Sequence, residues 1–366
     1  MIGAVPYQSP LLQVPGAVAF EGQSLIDASG VPFHYSDPLA EQRRLHDAPS
    51  LVDRSHRAVV AVAGPDAPAF LNNLLSQKLD TAPAGFGAEA LDLDAQGRIL
   101  HHAGVMFDGE TFYLDVPRAQ RDSLVSYLER MVFWSDVSIR EADLGVLTAF
   151  SPAGAALITG AAASREVPWV GGLTRTDALV PRPEIEAAAR AFRKAGGQLA
   201  GLMAFTAQRV RAGEPELAAD LDAKAIPHEV PRLINRAGRI GAVHLEKGCY
   251  RGQETVARVE NLGRAPRLLV MLQLDGSAPV EPAPGAEITA GGRKVGRLGT
   301  VVHDADYGPI ALGLVKRSAL EAALDIDGTA ATVDPDFLPA DEAGGAGRRA
   351  VDQLRHRSSQ TGGEFS

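Results

Sequence analysis

One cysteine, Cys249, stands among 366 residues. A chain with a single thiol forms no internal disulfide, which fits a reducing compartment. It also cannot build a structural zinc site or a complete iron–sulfur site from its own thiols, because such sites need several ligands. The one histidine pair, His101-His102, lies in a strand-like run where neighbours point to opposite faces, so the two share no metal. The chain has no Walker loop, no dinucleotide-binding glycine fingerprint and no serine in a nucleophile elbow. It has no apolar run long enough to cross a bilayer. Residues 1–20 lack the basic start and continuous apolar core of a signal peptide. A soluble cytoplasmic protein with no membrane partner is expected. The formal net charge of -9 argues against a bulk nucleic-acid binder. No nucleic-acid partner is expected, and a monomer is the default assembly.

Apolar residues make up 45% of the chain, enough to fill real cores, and the length allows two or three domains. Asp37-Pro38 joins an N-cap to a proline at the first helical position and predicts a helix to about residue 46. Residues 56–63 alternate as a strand. Gly64-Pro65-Asp66 then caps a helix carrying Phe70, Leu71, Leu74 and Leu75 on one face. A meander is expected next, with strands over 88–93, 99–107 and 111–116 and turns at Gln96-Gly97 and Asp108-Gly109. A helix over 118–131 and strands over 137–141 and 146–150 complete an α+β block. Residues 151–202 are rich in Ala and Gly and weakly patterned, with one helix predicted over 183–194. A further helix is expected over 203–212, then an ordered loop over 213–230. Beyond Gly263, short strands over 267–274, 286–289, 294–302 and 310–315, with a hairpin at Gly291-Gly292, predict a small β-barrel or sandwich. From about Asp334 the composition predicts a disordered tail.

Chemistry concentrates in residues 246–258. Gly248 and Gly252 flank Cys249, Lys247 and Arg251 stand two residues to either side of it, and a helix is predicted to run from Glu254 to Leu262. A lone cysteine is commonly a small buried hydrophobe. A thiol on a glycine-rich turn, beside cations and just before a helix N-terminus, is instead expected to be accessible and readily ionised. It suits a nucleophile, a redox sensor or a ligand to a soft metal. A cluster bound there would have to be shared with a partner or small thiols and be transient. Arg258, Arg264 and Arg267 follow and suit an anionic cluster or an acidic partner. A second constellation is Arg209, Arg211, Glu214, Asp220, His228 and Glu229. Its carboxylates suit an amidine-like edge such as that of a pterin, or else surface ion pairs.

The run Lys247-Gly248-Cys249-Tyr250-Arg251-Gly252-Gln253-Glu254 resembles the signature of the YgfZ family. These are folate-binding proteins of iron–sulfur cluster assembly and repair, and paralogues of the glycine cleavage T-protein, an aminomethyltransferase. The resemblance extends from about Ala40 to Arg317 and includes residues 57–80, Gly97-Arg98-Ile99-Leu100, and residues 209–229 with Ile226-Pro227-His228-Glu229. It implies three domains around a central cavity: a two-domain folate-binding module of α+β class and a small C-terminal β-barrel. Residues 1–55 with 146–262 would form the first part of the module, 56–145 the second, and 263–333 the barrel, with 334–366 as tail. It implies the iron–sulfur role for Cys249, with Lys247, Tyr250, Arg251, Gln253 and Glu254 as its working neighbours. It implies a tetrahydrofolate as cofactor, with His101, His102, Arg209, Arg211, Glu214 and Glu229 as candidate binding residues. Iron–sulfur carriers or clients would be its partners. Two positions depart from the T-protein pattern. His101 and His102 replace paired aspartates, one of them catalytic, and a neutral imidazole lacks the permanent charge of an aspartate. Arg211 replaces the pterin-binding glutamate, whose task then falls to Glu214 or Glu229. The implied role is an accessory one; the alternative is a folate-dependent one-carbon transferase of altered chemistry.

Overall fold

The computed structural model describes residues 7–21, 25–236, 238–278 and 281–338. Three β-structures carry the α+β fold expected from the sequence. The first is a five-stranded sheet in the order Ala163–Pro168, Thr174–Pro181, Leu144–Ser151, Ser50–Arg54 and Gln198–Ala200. Its last pair is parallel and the others antiparallel. One face buries Leu51, Leu147, Ala149 and Val180 against Ile185, Ala188 and Phe192 of the helix Ile185–Lys194. The other face receives the helix Leu202–Ala212 through Val52, Phe150 and Phe205.

The second sheet runs Phe86–Leu93, Ile99–Phe107, Thr111–Val116, Ala58–Ala63 and Ser138–Ala142, all antiparallel. The helices Ala67–Leu74 and Arg121–Arg130 cover one face, where Phe70, Leu71, Leu74, Leu124 and Leu128 meet Val60, Val62, Val105 and Leu114. The third structure is a closed barrel of six strands: Arg267–Leu274, Glu287–Ala290, Arg293–Asp304, Gly308–Lys316, Leu324–Ile326 and Thr329–Val333. Leu268, Val270, Leu272, Ile288, Leu298 and Val315 fill it. Closure removes the exposed edges that a four-stranded reading would have left.

One apolar cluster joins all three bodies. Leu91, Leu93 and Ile99 from the second sheet meet Ala207 and Val210 from the helix Leu202–Ala212, and Leu269, Met271, Leu312 and Leu314 from the barrel wall. A strap over 225–243 lies between them, contributing Val230, Leu233, Ile234 and Val243.

Several elements differ from the sequence reading. The strands Ala163–Pro168, Thr174–Pro181 and Ser50–Arg54 were not expected. Their inward positions carry Arg54, Arg165, Arg175 and Asp177, which erase the apolar alternation. The barrel has two more strands than expected. The tail expected from Asp334 instead starts with an ordered 3-10 turn, Pro335–Phe337, in which Asp334 accepts from the Asp336 amide and Phe337 packs on the barrel core. The rest of that expected tail, 339–366, lies outside the described residues.

Charged clamps fix the barrel to the strap. Arg267 donates Nε to Glu229 Oε1 at 2.7 Å and Nη2 to Glu229 Oε2 at 2.9 Å, and Nη1 to Asp222 Oδ2 at 2.5 Å. Glu229 is 1% exposed. Arg267→Ala should therefore strand a buried carboxylate and cost about 1.5–3 kcal/mol in urea unfolding. A loss below about 0.5 kcal/mol, the level of a surface substitution, would contradict this clamp.

Candidate functional site

The facing surfaces of the two sheets border a narrow cleft of about 60 Å³. Its walls include Arg54, Arg57, Arg165, Arg175 and Arg209, the carboxylates Glu89, Asp115 and Glu214, and His56 and His102. Beneath it Asp177 is fully buried. Asp177 accepts from Arg165 Nε at 3.0 Å and Nη2 at 2.8 Å, Arg175 Nε at 2.8 Å and Thr148 Oγ1 at 2.6 Å, with Arg54 at 3.6 Å. Burial alone would raise its pKa; the charges of Arg175, Arg165 and Arg54 outweigh burial and hold the carboxyl well below its usual range. The guanidiniums are fixed from above as well. Arg54 lies 4.1 Å over the Phe205 ring and Arg175 4.9 Å over Trp169.

Arg165 and Arg175 carry this network across the molecule. Arg165 donates to the Ala88 carbonyl of the second sheet. Arg175 donates to Glu214 Oε2 at 2.7 Å, an oxygen that also accepts from Arg232 at 3.2 Å. Two close approaches depend on Gly104: a Cβ there would sit 1.9 Å from Asp115 Oδ2 and 3.1 Å from Arg165 Nη2. Glu89, beside it on the strand Phe86–Leu93, pairs through Oε2 with His102 Nε2 at 3.0 Å. Burial pushes Glu89 up, but His102, Arg232 and Arg165 more than offset it, so its pKa lies below the usual range and it stays ionised. Elsewhere in the cleft wall, burial lowers His56 to about 4, which keeps its imidazole neutral near pH 7.

The six candidate binding residues therefore separate. His102, Arg209 and Glu214 line the cleft; His101, Arg211 and Glu229 do not. His101 faces the opposite side of its strand, with Nδ1 2.8 Å from Asp92 Oδ2 and Nε2 2.8 Å from Ser123 Oγ. Arg211 is bidentate on Asp304 and also pairs with Asp306, clamping its helix to the barrel. Glu229 is held by Arg267. Arg209, though in the cleft wall, donates to Asp220 at 2.8 Å and to Thr300, another tie to the barrel. The sequence reading missed Arg54, His56, Glu89, Arg165, Arg175 and Asp177. Glu89 had a signal: a charge on the strand face shared with Leu91 and Leu93, where an apolar residue belongs.

The turn Lys247–Gly252 leads into the helix Gln253–Leu262, with Gly252 as its N-cap at φ 83°. A Cβ on Gly252 would sit 2.6 Å from the Asp94 carbonyl, so this close seat on the meander turn needs glycine. Cys249 is a free, exposed thiol. Its flanking cations do not frame it as the sequence suggested. Lys247 is buried and donates to the carbonyls of Asn72, in the last turn of the helix Ala67–Leu74, and of Leu75, its C-cap. Burial lowers Lys247 to about 8, while Asp80 and Cys249 pull it back up. Arg251 turns away onto the second sheet, donating Nη2 to Asp92 Oδ1 at 2.6 Å and Nε to the Leu93 carbonyl at 2.5 Å, and stacks 4.3 Å over Tyr127. Tyr250 is buried in the central cluster, which pushes its hydroxyl up to about 12. Gln253 closes the turn on the Lys247 carbonyl at 3.4 Å, and Glu254 is exposed. Among the described residues, no group of three or more His, Cys, Asp or Glu is arranged to hold a metal ion. No helix among them is long and apolar enough to cross a membrane.

The architecture matches that of a known transferase. The structure of glycine cleavage system aminomethyltransferase T from Bartonella henselae superposes with a TM-score of 0.70 at 18% identity, over 90% of this chain and 96% of that one. Residues 267–340 match the family described as CAF17, C-terminal beta-barrel domain. The chain is 28% identical over 255 residues to the iron-sulfur cluster assembly factor IBA57 homolog, mitochondrial, of Chaetomium globosum, covering 62% of this chain and 57% of that protein. It is 24% identical over 290 residues to the tRNA-modifying protein YgfZ of Pectobacterium carotovorum subsp. carotovorum, covering 75% of this chain and 84% of that one. The fold is thus that of the T-protein. Within that fold the chain is similar to YgfZ and IBA57 proteins, and its barrel to the CAF17 C-terminal barrel.

The Asp177 network makes a direct prediction. Asp177→Asn removes the anion shared by three buried guanidiniums and should cost about 3–5 kcal/mol. The native pKa lies below the ordinary 3.8. The stability it contributes is therefore present above that value and is lost as pH falls through and below it. Urea midpoints should fall more steeply from pH 6 to pH 3 in the wild type than in the variant; equal slopes would contradict the assignment.

Proposed function

We propose that this protein binds a tetrahydrofolate in the cleft between its two sheets and supports iron–sulfur cluster assembly or repair through Cys249. The observation that carries the proposal is the pairing of a narrow, mixed-charge cleft with an exposed thiol whose turn is bonded to the cleft's own strand. The residues fit the ligand class. A pterin edge presents adjacent donors and a carbonyl acceptor, and the cleft offers ionised carboxylates beside guanidiniums. The cluster is cargo rather than a resident group: one thiol supplies one ligand, so a carrier or client protein would supply the others. The names of the relatives, iron–sulfur assembly factor and tRNA-modifying protein, agree with service to an iron–sulfur client. We read tRNA modification as acting through such a client, not as direct nucleic-acid binding.

A second reading, a folate-dependent one-carbon transferase, has one observation in its favour: His102 and Glu89 form an acid–base pair inside the cleft. Turnover of methylene-tetrahydrofolate with amine acceptors would favour it. On the accessory reading, titration calorimetry with folinic acid shows saturable binding at one per chain and no such turnover. The Cys249→Ser variant should bind folinic acid like the wild type, unfold at the same urea midpoint, and fail to restore iron–sulfur enzyme activities in a deletion strain. Full restoration by that variant would remove the cysteine from the mechanism, and no heat of binding would remove the folate.

A further inference from the structure

The folate reading leaves open which group recognises the ring, because Arg211 stands where the T-protein pattern has its pterin-binding glutamate. The structure narrows the choice. Glu229 is committed to Arg267 and lies outside the cleft. Five carboxylates line the cleft, Asp27, Glu89, Asp115, Glu214 and Glu216, and Glu89, Asp115 and Glu214 are the buried ones. Asp115 takes the Arg57 Nε at 2.5 Å. Glu214 takes two guanidiniums, Arg175 and Arg232, on one oxygen. Glu89 alone of the three has an imidazole as its side-chain partner, at Oε2.

We propose that Glu89 is the residue that reads the donor edge of a 2-amino-4-oxopyrimidine ring in the cleft, held in place by His102. The proposal rests on the cleft reading above and deepens it. The chemistry follows from unspent capacity. A carboxylate offers about four acceptor positions, and Glu89 uses one, on Oε2, for His102, leaving both lone pairs of Oε1 and one of Oε2 for N–H groups of the ligand. The adjacent N3–H and 2-amino group of such a ring form a two-donor edge that a single ionised carboxylate accepts in bidentate fashion. Next to those donors the ring carries a carbonyl, which calls for a cation nearby. The charges of Arg165 and Arg232 act on Glu89 and supply that positive field. In the sheet register Glu89 lies beside Gly104, and the space a side chain would take there holds the Asp115 carboxylate and the Arg165 guanidinium. The His102 hydrogen bond sets the orientation of the carboxylate, so His102 is a positioning residue in place of an aspartate.

The same edge occurs in pterins and in guanine, so the test uses both with the full-length protein. Calorimetry compares folic acid with 2-desaminofolic acid, and guanosine with inosine, which lacks the 2-amino group. The wild type should favour folic acid over its 2-desamino analogue by about tenfold to a hundredfold, the range expected for a charge-assisted hydrogen bond. Glu89→Gln should bind the two folates alike. The wild-type comparison alone keeps the proposal testable should the variant fold poorly. Equal wild-type affinity for both folates, or a preference that survives in Glu89→Gln, overturns the assignment. A Glu89-dependent preference for guanosine over inosine without folate binding would overturn the folate reading and retain Glu89. Binding of none of the four compounds overturns both.

Discussion

The carboxylate of Asp177 is the anchor of the molecule's interior. It is fully buried, yet it stays ionised because three guanidiniums and the Thr148 hydroxyl surround it. Each of these arginines has a second attachment. Arg165 reaches the backbone of the other sheet, Arg175 reaches Glu214 on the loop after the helix Leu202–Ala212, and Arg54 lies on the Phe205 ring. One anion thus orients three of the five arginines in the cleft wall, Arg54, Arg165 and Arg175, and joins the two halves around it. Well-packed apolar side chains would stabilise such an interior as well or better. What the ionic arrangement adds is a cleft with fixed donors and acceptors.

The second sheet has two working faces. On one, Glu89 and His102 look into the cleft. On the other, Asp92 and His101 look toward the helix Arg121–Arg130, and Asp92 there receives Arg251 from the cysteine turn. Strand alternation puts the adjacent His101 and His102, and likewise Glu89 and Asp92 three residues apart, on opposite sides in space. The turn that exposes Cys249 is thereby seated on the strand pair that forms the cleft wall. Lys247 adds a second seat at the end of the helix Ala67–Leu74. The turn is rigidly mounted while its thiol stays open to solvent.

Much of this was legible in the sequence, and the gaps have a physical pattern. The meander, the Asp37 cap, the helix after Gly252 and the barrel all follow from apolar periodicity and turn chemistry, which are local signals. The strands bearing Arg165, Arg175 and Asp177 were unreadable for the opposite reason. Their inward positions are charged, and those charges make sense only with partners up to 123 residues away, as with Arg54 and Asp177. The same holds for the candidate site. His102 and Glu214 were found from motif positions, whereas Arg211 and Glu229, drawn from the same motifs, belong to clamps between the strap, the helix and the barrel. Spacing along the chain gives residue type and neighbourhood; it does not say whether an arginine faces a ligand or an aspartate on another domain. Lys247 and Arg251 teach the same lesson, since cations adjacent to a thiol in sequence prove to be spent on carbonyls and on Asp92.

A mounted, solvent-facing thiol and a separate ligand cleft can be tested together by titrating native protein with Ellman's reagent, with and without saturating folinic acid. If the two sites are separate as described, one thiol per chain reacts promptly in the native state, and folinic acid leaves that stoichiometry unchanged. A thiol that reacts only after unfolding, or that bound folinic acid shields, would contradict the arrangement.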